Sequence, residues 1–391
     1  MKLNTLIIGA GAAGMMCAAH AGPGTLLVDH AKAAGEKIRI SGGGRCNFTN
    51  LFAGSENFIS QNPHFAKSAL SRYTQWDFID LVARHGIPYH EKTLGQLFCD
   101  TSAKDIITML RAEMGDTPLW LQTTVAHIRH DSAVFHATLQ KDGRETAVTA
   151  RNLVLASGGK SIPKMGATGF AYQVASDFGL NIITPRPGLV PLTFGDQFKS
   201  IAGTALQGRA TANGTSFDEA VLFTHRGLSG PAVLQASSYW NEGDDVTLDL
   251  APTTDLFAAL KKARGTAGRK ALSTVLADHL PNRLVNYLAD GTDLGGNLAD
   301  WSDQKLADLA QRLHHWHLTP GGSEGYRTAE VTLGGIDTDD LNSRTMEAKA
   351  VPGLYVIGEA VDVTGWLGGY NFQWAWSSGW AAGTAIKAKH A

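Results

Sequence analysis

Leu3-Asn4-Thr5-Leu6-Ile7-Ile8-Gly9-Ala10-Gly11-Ala12-Ala13-Gly14 is an apolar run passing directly into the spacing G-x-G-x-x-G, and Asp29 closes the next apolar run, Leu26-Leu27-Val28. Strand, glycine turn, helix, strand and carboxylate in that order make a βαβ unit suited to a dinucleotide. Gly9 allows the tight turn out of the strand, Gly11 lets a pyrophosphate approach bare backbone, and Gly14 lets the helix pack closely on the strand. The helix start at Ala12 and Ala13 aims N–H groups and the positive end of the helix dipole at phosphate charge. Asp29 lies 20 residues after Gly9, the distance at which a carboxylate reaches a ribose hydroxyl, and His30 stands beside it. The stretch sets the fold class as α/β, Rossmann-type, and the ligand as an adenine dinucleotide. It does not say which one.

A secretory signal would also begin with Met1-Lys2 and continue apolar, but its core has no use for three spaced glycines. No other apolar run is long enough to span a bilayer, so no membrane role and a cytoplasmic location are expected. Cys17, Cys46 and Cys99 are odd in number and lack metal-ligand or C-x-x-C spacing, so no metal is expected. With 391 residues, 43% hydrophobic, the chain can bury a large core and form more than one domain. A net charge of −2 leaves no global footprint for nucleic acid or an acidic membrane.

Residues 1–190 read as α/β. Helices are predicted over 64–85 and 103–114, the second with Thr101 and Ser102 available as caps and Asp105 in its first turn. Short strands follow at about 123–129, 133–140, 145–149 and 152–157. From Pro185 the texture changes. Residues 191–253 read as a β-rich domain and 254–328 as a helical one, and 329–391 return to strands, glycine turns and a helix over 371–387. The expected architecture is a discontinuous dinucleotide-binding domain, 1–190 with 329–391, carrying two inserted domains.

Three further glycine segments bear on the ligand. In Lys37-Ile38-Arg39-Ile40-Ser41-Gly42-Gly43-Gly44-Arg45-Cys46-Asn47 the glycines allow close backbone approach, Arg45 offers a charged fork and Asn47 a neutral donor and acceptor. Gly358-Glu359-Ala360-Val361-Asp362 follows the strand Gly353–Ile357, where open α/β sheets bind ligands, and Asp362 suits a ribityl hydroxyl. Gly365 to Trp374 then runs a glycine loop into a helix at Gly369, Tyr370, Asn371 and Phe372, directing N–H groups toward the edge of a flavin ring that becomes negative on reduction. Ser157 and Gly158, at the end of the run Leu153–Ala156, and Val125, on the strand from 123, complete the expected cofactor set. The chain has one strict G-x-G-x-x-G, yet regions at both ends are shaped for one long ligand. FAD is therefore favoured over NAD, with NADH or NADPH as a transient electron donor.

These segments, together with LFTHRGLSGPAVLQ and AEVTLGGI, resemble the BaiN/YhiN-type bacterial flavoproteins, whose members include aminoacetone oxidase-like and NAD(P)/FAD-dependent oxidoreductases. The resemblance runs from the first strand to the last helix. It implies an FAD domain interrupted by a β-rich and a helical domain. Leu333 stands where a small residue is usual, and Thr364-Gly365-Trp366 replaces a more acidic stretch.

The candidate catalytic residues are Cys46, as general acid or redox thiol, His225 in Thr224-His225-Arg226-Gly227, and Tyr370 at the helix start. The tryptophans within the last helix read as packing. An FAD-dependent oxidoreductase acting on a small organic substrate is the expectation. The alternative within the resemblance is reduction of a uridine in ribosomal RNA, for which Lys261, Lys262, Arg264, Arg269 and Lys270 form a local basic run.

Overall fold

The computed structural model describes residues 1–131, 133–291 and 294–390. It divides into two compact units, Met1–Arg186 with Val331–Ala391, and Pro187–Glu330.

The first unit is built on a parallel sheet whose register explains where a ligand can sit. Strand Lys2–Ile8 lies between Thr25–Val28 and Arg144–Leu155, and the latter also pairs with Leu354–Val356. Ile8 is opposite both Val28 and Leu155, and Leu155 is opposite Val356. The four carboxyl ends therefore finish level. Gly9, Asp29, Ala156 and Ile357 follow them along one edge, where open α/β sheets bind ligands. Toward these ends the strands are buried and mostly apolar, at Leu6–Ile8, Leu26–Val28, Leu153–Leu155 and Leu354–Val356, because both faces are covered.

Arg144–Leu155 is a single strand of 12 residues, where two short strands were expected. Ala150-Arg151 offers no turn chemistry, and the chain changes partner without breaking. Its first half pairs antiparallel with Phe135–Lys141, which pairs with Thr123–His130. The helix expected over 64–85 is likewise two, Lys67–Arg72 and Gln75–Arg84. Thr74 stops the first and caps the second, exchanging hydrogen bonds with Asp77 in a capping box. Ala103–Glu113 forms as expected, with Ser102 accepting from the Lys104 N–H.

The final helix, Tyr370–His390, is the structural key of this unit. It crosses the first helix, Ala12–His20, at Gly379 and Gly383, where an added Cβ would come within 2.5 Å of the Ala13 carbonyl oxygen and 2.7 Å of the Cys17 one. Small residues let the two backbones nearly touch. Its buried polar groups reach outward: Trp374 Nε1 donates to the Gly358 carbonyl (3.0 Å), Trp376 Nε1 to the Phe48 carbonyl (2.8 Å), and Thr49 Oγ1 to Gln373 Oε1 (2.7 Å). One helix thus holds two of the glycine segments, as packing tryptophans should.

In the second unit an antiparallel sheet carries Ala205–Ala212, Thr215–Phe223 and Gly227–Ser229 on one side and Val246–Asp249 on the other. The helices of the 254–328 stretch return to that sheet, since Trp316–Leu318 pairs with Val246–Asp249. The β-rich and helical stretches fall in the same unit.

Candidate active site

At Gly9 the backbone has φ +112°, and an added Cβ would lie 2.4 Å from the Ala156 carbonyl oxygen. An added Cβ on Gly14 would be 1.8 Å from the Gly9 carbonyl oxygen. Both glycines are required by the protein itself. Gly11 is different: nothing lies within 4 Å of an added Cβ, so its missing side chain leaves open space at the start of the first helix. That open cradle fits a pyrophosphate.

The Asp29 carboxylate is mostly buried and fixed by two backbone N–H groups, Ala10 at 2.6 Å and Ala31 at 2.8 Å. Each oxygen keeps lone-pair capacity for a hydroxyl. His30 is half-exposed beside it, its Nε2 where an added Cβ on Gly166 would be. Strand Thr123–His130 starts against this corner, with the Thr123 N–H donating to the Asp29 carbonyl, and places half-buried Val125 one turn of the pleat further on. We expect Asp29→Ala to weaken FAD binding by about 1.5–3 kcal/mol, the worth of a charge-assisted hydrogen bond. Titration of the apoprotein with FAD measures this. A variant that keeps its FAD but loses turnover would place Asp29 elsewhere in the mechanism.

Helix Glu36–Ile40 ends in Ser41-Gly42-Gly43-Gly44, whose three glycines have φ of 56°, 67° and 85°. Left-handed backbone over three residues is what glycine supplies. Gly42, Gly43 and Arg45 are exposed, and an added Cβ on Gly43 would again meet nothing within 4 Å. Asn47 is half-buried, its amide lying between Gln96 and Gly369.

Lys37 and Glu359, 322 residues apart, meet in a shared network. Lys37 Nζ donates to Glu359 Oε2 and to Ser161 Oγ, both at 2.7 Å, while Glu359 Oε1 accepts from Ser161 Oγ (2.8 Å) and the Thr332 N–H (2.9 Å). Burial opposes ionisation of Glu359, but the Lys37 charge and these donors hold its carboxyl below the usual range. Ser161 and Thr332 were not anticipated. Thr332, a hydroxyl inside the wholly buried strand Val331–Ile336, was the available signal. Asp362 is buried and accepts from the Gln61 N–H at 2.8 Å, and burial raises its carboxyl above the usual range despite that bond. Ser157 Oγ, next to Gly158 at the end of its strand, is buried with no hydrogen-bond partner among the described residues, a polar group left for a ligand.

The loop before the final helix is tightly self-bonded. Asn371 Oδ1 accepts from the Gly365 N–H at 2.8 Å, and Asn371 Nδ2 donates to the Gly365 and Trp366 carbonyls. Its side chain holds the loop, so what it can offer a ligand is backbone. Phe372 stacks on Trp376 at 5.6 Å. Gly369 and Tyr370 open the helix, with the Tyr370 ring buried edge-on to Phe58 and Trp366.

The candidate proton donors separate clearly. Cys46 is completely buried, and burial pushes its thiol well above the usual range, with a Ser41 hydrogen bond opposing and Cys99 reinforcing. That environment suits packing better than the expected role as general acid or redox thiol. Cys99, on the neighbouring strand Gln96–Cys99, is also a free thiol, pushed up to about 12 by burial and by Asp105 and Asp100. His225 is exposed in the turn joining Thr215–Phe223 to Gly227–Ser229 in the second unit. In the basic run, Lys261 (2.7 Å) and Arg264 both bind Asp303, so two of its five charges are already paired.

A level edge of four strand ends, an open cradle at Gly11, a carboxylate at Asp29 fixed by two N–H groups and the buried Ser157 hydroxyl fit a Rossmann-type FAD site, and the protein is a flavoprotein oxidoreductase. Among solved structures, the chain aligns over 99% of its length, and 97% of the other, with 3-ketosteroid-delta4-(5alpha)-dehydrogenase from Rhodococcus jostii RHA1, at 14% identity and a TM-score of 0.52, a likeness of fold. The chain belongs to the family described as HI0933-like protein Rossmann domain, whose model matches residues 3–385. It is 52% identical to a ribosomal RNA dihydrouridine synthase of Escherichia coli, over 97% of each chain. It is 46% identical to a protein of the same name from Haemophilus influenzae, over 98% of each. Among the described residues, no helix is long and apolar enough to cross a membrane.

Proposed function

We propose that the protein reduces a uridine of ribosomal RNA to dihydrouridine in the cytoplasm, using NADH or NADPH as transient electron donor. The observation that carries this reading is the 52% identity, over 97% of both chains, to a ribosomal RNA dihydrouridine synthase. It takes precedence over the small organic substrate that the net charge and the single dinucleotide fingerprint favour. Bound FAD supplies a two-electron carrier that accepts hydride from the donor and delivers it to an unsaturated carbon.

In this reading the residues divide the cofactor along the sheet edge. Gly9 to Gly14 receive the pyrophosphate, Asp29, His30 and Val125 the adenosine, and Ser157 and Gly158 the middle of the molecule. The Ser41–Asn47 loop, Asp362 and the start of the final helix at Gly369 and Tyr370 surround the flavin. Lys37 and Glu359 hold this wall together through their network. Because Cys46 is sealed, His225 and Tyr370 remain as proton donors to the second carbon of the reduced double bond.

Nucleoside mass spectrometry of rRNA tests the function. A strain lacking the gene should lose one dihydrouridine, and the intact gene should restore it. Unchanged dihydrouridine would return the small organic substrate to first place. Purified His225→Ala and Tyr370→Phe variants, compared across pH, should identify the donor by the loss of one limb of the rate profile.

A further inference from the structure

Strand Asn47–Asn50 grips the beginning of the final helix with all four of its residues. Phe48 and Thr49 hold the helix itself, at Trp376 and Gln373. Asn47 and Asn50 hold the single peptide that leads into it. Asn50 is buried and donates from Nδ2 to the Gly368 carbonyl at 2.9 Å, while Asn47 places its amide oxygen 3.3 Å from the Gly369 nitrogen. Glycine is needed at both positions: φ is +114° at Gly368 and +99° at Gly369, and an added Cβ on Gly369 would lie 2.4 Å from the Thr49 carbonyl oxygen.

The Asn50 amide is itself fixed from its own strand. Its Oδ1 accepts from the Phe52 N–H two residues on (2.9 Å), the hydrogen bond of an Asx turn, and Nδ2 also donates to the Leu94 carbonyl (3.0 Å). Three bonds leave the side chain one orientation. A planar trans peptide holds its C=O and N–H on opposite sides, so fixing the Gly368 oxygen also fixes the Gly369 N–H. The chain therefore enters Tyr370–His390 at a set angle. The first N–H groups of a helix have no partners within it, and that angle decides where they point. Without a donor at position 50 the buried Gly368 carbonyl would be unpaired, and the peptide would turn to find another.

We propose that Asn50 is a positioning residue for the flavin, aiming the first N–H groups of the final helix at the ring edge that becomes negative on reduction. It thereby favours reduced over oxidised FAD. This rests on the reading above in which the helix start lies against the flavin. Donors already aimed where charge develops need no reorganisation when it appears. A side chain that served stability alone would change the affinities for both oxidation states equally.

Asn50→Ser is the test, since a hydroxyl still accepts from the Phe52 N–H but is too short to reach Gly368. The preference for reduced over oxidised FAD should fall about tenfold, a midpoint potential lower by ~30 mV for a two-electron couple. Reductive titration of the FAD-loaded protein against a dye of known potential reads this, and titration of the apoprotein with oxidised and reduced FAD reads it where the variant holds the cofactor weakly. Leu139→Ala, which truncates a buried side chain on the antiparallel strand Phe135–Lys141, is the stability control: its melting temperature should drop while its potential stays at the wild-type value. A wild-type potential in Asn50→Ser overturns the proposal, as does an equal fall in Leu139→Ala. Wild-type protein supplies a second test that needs no folded variant. Amide hydrogen exchange over 365–369 should be as slow in the apoprotein as with FAD bound, because the clamp precedes the cofactor. A segment that gains protection only when FAD binds overturns the proposal. Wild-type protein that takes up no FAD overturns the reading beneath it, an outcome seen before any variant is made.

Discussion

Gly11→Val is expected to give a folded, colourless protein. At Gly11 the backbone has φ −82° and ψ −165°, ordinary extended geometry, and an added Cβ would meet no protein atom within 4 Å. The apoprotein should therefore melt close to the wild-type apoprotein. The branched side chain would occupy the space that the fingerprint reserves for pyrophosphate, and FAD affinity should fall at least about a hundredfold, or ~2.8 kcal/mol. Gly9→Val gives the contrast. Its Cβ would sit 2.4 Å from the Ala156 carbonyl oxygen at φ +112°, so that variant should be insoluble or unfolded. Visible absorbance of the purified proteins, with thermal melting after FAD removal, separates the two. A yellow Gly11→Val protein with normal FAD content would mean that the cofactor does not cross this turn.

What the sequence disclosed about this site was local, and what it concealed was long-range. The turn at Gly9–Gly14 and the acid at Asp29 are legible because a strand, a turn and a helix start must be written in adjacent residues. The left-handed run at Gly42–Gly44 is legible for the same reason. That Lys37 and Glu359 form one ion pair is not, since 322 residues separate them and only the tertiary fold brings them together. The helix start at Asn371 is legible in sequence, but that its amide also holds Gly365 and Trp366 is not, since this use depends on how the preceding loop folds back. Cys46 shows the same limit. Its place beside a glycine loop suggested reactivity, whereas its burial is decided by strand Gln96–Cys99 packing against it. The basic run at Lys261–Lys270 looked free in sequence because Asp303, which pairs two of its members, lies on a later helix.

Trp376→Ala should be the most destabilising single substitution away from the glycine turns. Trp376 is fully buried, stacked on Phe78 at 4.4 Å with an interplanar angle of 7°, and packed on Phe372 from the other side. Truncating a buried tryptophan costs about 3–5 kcal/mol in lost transfer energy and cavity formation. Its Nε1 also donates to the Phe48 carbonyl, which would be left unsatisfied in the core. The melting temperature of the apoprotein should drop by roughly 10 °C, at 2–4 °C per kcal/mol for a unit of this size. Phe48 lies two residues beyond Cys46, so a loosened core should also release the Ser41–Asn47 loop and weaken FAD binding, although Trp376 is sealed from any ligand. Trp376→Phe separates the two contributions. It keeps a ring on Phe78 and loses the hydrogen bond and part of the area, so it should cost substantially less than the alanine variant and retain FAD. Equal melting of the alanine variant and wild type would show that the final helix does not organise the cofactor loop through this ring.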